Sequence, residues 1–223
     1  MVKMAQDSNK TPWPTKEAME QVYTLNLWGG NKGEFYSGDG SHNSSIVAPY
    51  IKVVSEFLTS FEVPLKLVDL GCGDFNIGNQ LLKFSGTLTA VDVVESLIDR
   101  NKKKFQANNL SFINLDISKE VLPKGDCAIL RQVLQHLSNE EVQIIIDKLS
   151  IYKYVILTEH VPKGDFLPNI DQISGQGIRL KKNSGINLFE PPFNLRVKNF
   201  RELVSVDELK WKGKIVTTLL EMY

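Results

Sequence analysis

Apolar residues fall into two rhythms along the chain. From Ile46 to Phe61, the residues Ile46, Val47, Tyr50, Ile51, Val54, Phe57 and Leu58 recur at the spacing of one helix face, which predicts an amphipathic helix lying against a sheet. Beyond it, short apolar runs alternate with helical patterns. KLVDL, TLTAVD, LSFINLD, DCAILRQV and YVILTEH read as strands, and IGNQLLKF, VESLIDRNKKKF and SNEEVQIIIDKL read as helices among them. This alternation predicts a mostly parallel sheet with helices on both faces. Ser138, followed three residues later by Glu141, is a capping-box pattern that marks where the helix carrying Val142, Ile145, Ile146 and Leu149 begins. RELVSVDE and KIVTTLLEMY add two strands, and the turn LKWKGK between them is so short that they must run antiparallel.

Two stretches break these rhythms. Residues 1 to about 44 are rich in Gly, Ser, Asn and aromatics, as in WGGNKGEFYSGDGSHNSS, and read as a cap or loop ahead of a domain spanning 45–223. Residues from about 161 to 195 hold four prolines and four glycines, which predicts an irregular insertion. Its stiff ends and glycine-bearing middle suit a closing lid.

A chain of 223 residues that is 42% hydrophobic can bury a sizeable core, and one domain is the natural reading. Basic and acidic residues balance at 26 each, so no global field draws a polyanion and nucleic acid is not expected as a partner. Cys72 and Cys127 are far apart and form no CxxC, which argues against a disulfide framework or a zinc cluster and suits a reduced cytoplasm. No apolar core of a signal peptide stands in MVKMAQDSNKTPWPTK and no stretch is long enough to span a bilayer, so a soluble protein without a membrane role is expected.

The candidate chemistry starts at KLVDLGCGDFNIG. A strand that turns through Gly71-Cys72-Gly73 into a helix lets the backbone approach a ligand, and open α/β sheets bind small ligands beyond the carboxyl ends of their strands. A dinucleotide fingerprint needs glycine at position 76, where Asn76 stands; the next glycine is Gly78. Asp69 inside the first strand and Asp92 closing the second instead suit a nucleoside without a pyrophosphate, with Asp92 accepting from both ribose hydroxyls.

Taken in order, LVDLGCGDFNIG, LTAVDVVESLI, INLDI and DCAILRQVLQHLSNEE resemble the class I S-adenosylmethionine-dependent methyltransferases, over roughly residues 45 to 160. The resemblance implies a Rossmann-like, mostly parallel seven-stranded sheet with an antiparallel last strand. It implies S-adenosylmethionine as cofactor, with Asp69 and the backbone around Gly71, Cys72 and Gly73 beside its methionine part, and Asp74 and Val93 among the cofactor-binding residues. Asp92 would then hold the ribose, and Asp116 and Ile117 would flank the adenine, with Arg131 and Gln132 completing the site. Where the family often has a third glycine this chain has Phe75. The implied reaction is methyl transfer to a small-molecule acceptor, oxygen ahead of nitrogen. A nicotinamide-dependent oxidoreductase and a non-catalytic binding module are the alternatives.

A sulfonium-bound methyl is already activated, so such an enzyme mainly aligns and desolvates, and sometimes supplies a base. His136 after the fourth strand, and Glu159 with His160 at the end of the fifth, are the candidates for that base. Tyr36, Trp28 and His42 in the N-terminal segment could cover the cofactor and acceptor, the aromatics by cation–π attraction to the sulfonium. Arg179, with Lys181 and Lys182, forms a positive group suited to an anionic acceptor. Glu190-Pro191-Pro192-Phe193 mimics the acid-Pro-Pro-aromatic motif of amino methylation, but it follows the fifth strand rather than the fourth. No metal-ligand cluster is evident.

Overall fold

The computed structural model describes residues 13–31, 33–208 and 213–223. Most of the turn in LKWKGK, residues 209–212, lies outside the described residues.

The centre is a seven-stranded sheet in the order β3-β2-β1-β4-β5-β7-β6. Its strands are β1 Lys66–Leu70, β2 Thr87–Asp92, β3 Leu110–Asn114, β4 Cys127–Arg131, β5 Tyr154–Pro162, β6 Asn199–Glu208 and β7 Gly213–Glu221. β1 pairs in parallel with both β2 and β4, and β7 runs antiparallel to both β5 and β6. The chain therefore steps outward from β1 to β3 and returns to the other side of β1 at β4. This reversal opens a crevice at the carboxyl ends of the strands.

The helices are α1 Thr15–Thr24, the single turn α2 Asp39–His42, α3 Ser44–Thr59, α4 Asn76–Leu81, α5 Glu95–Lys104 and α6 Asn139–Lys148. Alternate strand residues feed two cores. On one face Leu67, Leu88, Ala90, Ile129 and Ile156 pack with Val54, Phe57 and Leu58 of α3, with Leu81 of α4 and with Ile98 of α5. On the other, Val68, Val91, Ala128, Leu130 and Val155 pack with Val142, Ile145 and Ile146 of α6. That second face is completed by irregular chain, through Ile186, Leu188 and Phe193. Phe193, in the acid-Pro-Pro-aromatic stretch, is thus a core residue.

α6 starts as expected: the Ser138 hydroxyl accepts from the Glu141 N–H while the Glu141 side chain accepts from the Ser138 N–H. β4 ends earlier than its apolar run, because Gln132 takes a φ of +57° and leaves the extended region. The N-terminal segment is more regular than its composition suggests, since it contains α1. Pro14 precedes that helix, Glu17 sits in its first turn, and Met19, Val22 and Tyr23 share its inner face.

Candidate functional site

A cavity of about 380 Å³ lies at the carboxyl ends of the strands, within the size range of small-ligand sites. Asp69, Gly71, Cys72, Gly73, Asp92, Val93, Asp116, Ile117, Arg131 and Gln132 all line it. The glycine loop holds its shape by two bonds to one carbonyl: the N–H groups of Gly71 and Cys72 both donate to Val91 O at 2.9 Å. Gly71 and Gly73 have φ of +85° and +54°, which side chains rarely adopt. Phe75, in the family's third-glycine position, also has a positive φ of 65°. Its ring is fully buried between Phe105 and Phe112. Gly78 makes room for it, because a Cβ there would overlap the Phe75 ring. The third glycine of the motif therefore serves packing under the loop.

Three acids ring this end of the cleft in different electrostatic states. Burial and the charge of Asp92 push Asp69 up to about 7, against the pull of Arg131. Burial also raises Asp92, despite the backbone N–H groups that donate to it. Gly73 N–H donates to Asp92 Oδ2 and Val94 N–H to Oδ1, each at 3.0 Å. Asp116 goes the other way: burial opposes its charge, but Ser118 and Lys119 outweigh it and hold the carboxyl below its usual range. Its Oδ1 accepts from Ser118 Oγ at 2.6 Å, so it closes a turn as well as lining the cleft.

The N-terminal segment roofs the cavity with Met19, Tyr23, Leu27 and Trp28. It is tied to the glycine loop, where Ser37 N–H donates to Asp74 Oδ2 at 2.9 Å and Asp74 N–H to Ser37 Oγ at 2.8 Å. His42 Nε2 meets the same Asp74 oxygen at 2.5 Å. Arg131 reaches up from β4 and donates to Gly40 O at 2.6 Å. Asp74, Tyr36 and His42 therefore sit away from the main cleft: they line a separate hollow with Asn76 and Arg100. Tyr36 stacks on His42 with ring centroids 4.5 Å apart and donates to Asp39 Oδ1, so both brace the roof from outside. Of Tyr36, His42 and Trp28, Trp28 lines the cleft, packed against His136 at 5.0 Å.

The residues after β4 and β5 separate into supports and cleft walls. Glu159 does not line the cavity; its oxygens accept from the N–H groups of Leu134 (3.1 Å) and Gln135 (3.0 Å), and burial pushes it up to about 8. In this position Glu159 holds the loop after β4 through those two backbone groups. His136 lines the cleft, with Nδ1 3.1 Å from Gly177 O and burial lowering it to about 4. His160 also lines the cleft, and its Nε2 is buried without a hydrogen-bond partner among the described residues.

Arg179 departs most from expectation. It is 1% exposed. Nε donates to Ile170 O, Nη1 to Leu134 O and Gln135 O, and Nη2 to Leu137 O and Asn139 Oδ1, at 2.7 to 3.4 Å. Its donors are engaged internally, and it does not line the cleft. Lys181 of the same turn lines the cleft instead. Gln135, Glu141, Gln176, Ile178, Glu208 and Ile215 also line it. Sequence reading did not reach them, because they come from separate segments that only the fold gathers.

Residues 68–150, from β1 through α6, match a family model described as a methyltransferase domain. No curated protein matches the chain by sequence. Among solved structures it resembles the N-methyltransferase NodS from Bradyrhizobium japonicum WM9, crystallised with S-adenosyl-L-homocysteine (TM-score 0.63, 14% identity, covering 90% of this chain and 98% of that one). It also resembles magnesium protoporphyrin IX methyltransferase from Synechocystis PCC 6803 with bound SAM (0.58, 14%, 96% and 100%). The cyclase SpnF shares the fold as well (0.61, 16%, 95% and 98%). At these identities the likeness is one of fold. Among the described residues no helix is long and apolar enough to cross a membrane, and no group of His, Cys, Asp and Glu could hold a metal ion.

Proposed function

We propose that the protein transfers the methyl group of S-adenosylmethionine to a small-molecule acceptor, an oxygen ahead of a nitrogen. One observation carries the reading: within a methyltransferase domain, a glycine loop and the Asp92 carboxylate meet in a cleft at the sheet's reversal point. Each Asp92 oxygen already accepts one backbone N–H and keeps a lone pair for a ribose hydroxyl. Arg131 lines the cleft with a buried Nε that has no partner among the described residues, a donor suited to the carboxylate of the cofactor's methionine. Asp69 and Gly71 to Gly73 lie by that methionine part, and Asp116 with Ile117 by the adenine. When bound, the cofactor supplies a methyl activated on sulfonium, and Trp28 offers an aromatic face toward that charge. With Arg179 sequestered, Lys181 is the cation that meets an anionic group on the acceptor. Two buried free thiols, Cys72 and Cys127, suit a reduced cytoplasm.

Binding of S-adenosylhomocysteine and transfer of a labelled methyl test the reading together, since the fold also serves a cyclase. Asp92→Ala should weaken S-adenosylhomocysteine binding by about 2–3 kcal/mol in calorimetry while the melt stays cooperative, because hydrogen bonds to a charged acceptor are lost. Unchanged affinity in a folded variant removes the ribose assignment. Heat protection by a nicotinamide cofactor instead would favour the oxidoreductase reading.

A further inference from the structure

The hollow outside the glycine loop has a volume of about 390 Å³, and none of its lining residues lines the main cleft. Glu34, Tyr36 and His42 of the N-terminal segment form one side of it. Asp74 of the glycine loop, with Arg100 and Lys104 of α5, forms the other.

The charges in this hollow are unevenly satisfied. Both carboxylates are held by the protein's own donors. Glu34 accepts from Asn31 N–H on Oε2 and from Asn31 Nδ2 on Oε1, each at 2.8 Å. Asp74 meets Ser37 N–H and His42 Nε2 at Oδ2, and accepts from Asn76 N–H at Oδ1. The two cations differ from them. Arg100 Nη1 donates to Asp74 O at 2.9 Å and to Asn101 Oδ1 at 2.8 Å, while its Nε and Nη2 have no acceptor among the described residues. Lys104 Nζ has none either, and stands 5.3 Å from the centre of the Phe105 ring. Neither cation joins an ion pair among the described residues.

We infer that the hollow binds a phosphoryl group and thereby holds the roof of the main cleft in place. Arg100 Nε and Nη2 form a planar fork for two oxygens, and Lys104 adds a second positive charge. A phosphate monoester carries close to two negative charges at pH 7 and three acceptor oxygens, which matches two cations better than a single carboxylate does. The place of the hollow supplies the consequence. Tyr36 and His42 belong to the roof, while Arg100 grips the Asp74 backbone. Directly beside them Ser37 and Asp74 exchange the two hydrogen bonds that dock the roof, and Asn76 Nδ2 donates to Ser41 O at 2.6 Å. A ligand seated between the two sides favours the docked roof, because undocking would remove one wall of its site.

The test is calorimetric titration of the full chain with sodium phosphate, against sodium chloride at matched ionic strength. Phosphate should bind saturably at one site and chloride should not. Phosphate should also slow limited proteolysis between residues 25 and 38. Glycerol phosphate run in parallel separates the sources: tighter binding than inorganic phosphate assigns the hollow to a phosphorylated small molecule, and weaker binding assigns it to free phosphate. Lys104→Gln should weaken phosphate about tenfold, since a hydrogen bond between charged groups is lost. Lys102→Gln, at a lysine of α5 that does not line the hollow, should leave phosphate binding unchanged. Absence of saturable phosphate binding, an equal loss in Lys102→Gln, or phosphate binding that leaves the cleavage rate unchanged overturns the inference. A wild type that fails to bind S-adenosylhomocysteine overturns the methyl-transfer reading alone, because the titration and the proteolysis need no cofactor.

Discussion

His136 illustrates how burial sets a single residue's role. Its Nδ1 faces the Gly177 carbonyl, so that nitrogen carries the proton and Nε2 accepts from the Gln135 side chain at 3.2 Å. Burial lowers it to about 4, while the contact with Gly177 pulls the other way. A folded-state value below the unfolded one contributes stability that is present above the unfolded pKa and lost as pH falls through the folded one. The drop to about 4 from an ordinary 6.5 corresponds to roughly 3 kcal/mol, lost between those pH values. Asp69 and Glu159, raised to about 7 and about 8, act with opposite sign. They are common to wild type and His136→Gln, so they cancel in the difference. Urea denaturation of the two proteins from pH 7 to 4 should show the variant losing less stability. Parallel curves would mean that the imidazole is not kept neutral by the fold.

Among the elements, the irregular segment between β5 and β6 changes meaning most. Its composition suits a closing lid, and the structure holds it at two anchors, Asn169 and Arg179. Asn169 Nδ2 donates to the carbonyls of Asn187, Glu190 and Pro191, and its Oδ1 accepts from Asn187 N–H. Arg179 clamps the carbonyls of Leu134, Gln135 and Leu137 after β4. It also holds the short helical turn Arg179–Lys182 so that Lys181 lines the cleft. Arg179→Ala should therefore act on stability first. Several buried carbonyls would lose a charged donor, which predicts a loss of about 3 kcal/mol or more in urea denaturation. A midpoint unchanged within error would show that those carbonyls find other partners and that the segment is held elsewhere.

For the whole molecule, the governing relation is between the roof and the loop beneath it. A Cβ at Gly73 would come within 2.5 Å of Ser37 Oγ and 3.3 Å of Tyr23 Oη. The glycine thus makes space for the N-terminal segment as well as for a ligand. Gly73→Val should lift that segment, speed limited proteolysis between residues 25 and 38, and abolish S-adenosylhomocysteine binding, with the sheet's cooperative melt retained. Binding that survives alongside faster cleavage would separate the roof from the cofactor site. Wild-type proteolysis rates in the variant would show that the loop absorbs the Cβ locally.

Strand and helix alternation, the α6 capping box and the glycine loop were legible in the chain because each depends on residues close in sequence: a period, a three-residue spacing, a backbone without Cβ. That Asp69, Asp92 and Arg131 line one cleft follows from the same regularity, since parallel strands bring their carboxyl ends together. α1 left a readable mark in Pro14, Glu17 and the Met19, Val22 and Tyr23 spacing, but the glycine-rich tract beside it masked the signal. Where the side chains of Arg179, Glu159 and His160 lie was decided only in three dimensions. A cation in a polar stretch looks solvated until carbonyls some forty residues earlier surround it. Of two adjacent residues at the end of β5, pleating sends Glu159 to backbone donors and His160 to the cleft wall. Charge and hydrogen-bonding capacity are written in the sequence. Which partner satisfies them depends on long-range packing, which alone decides what is buried against what.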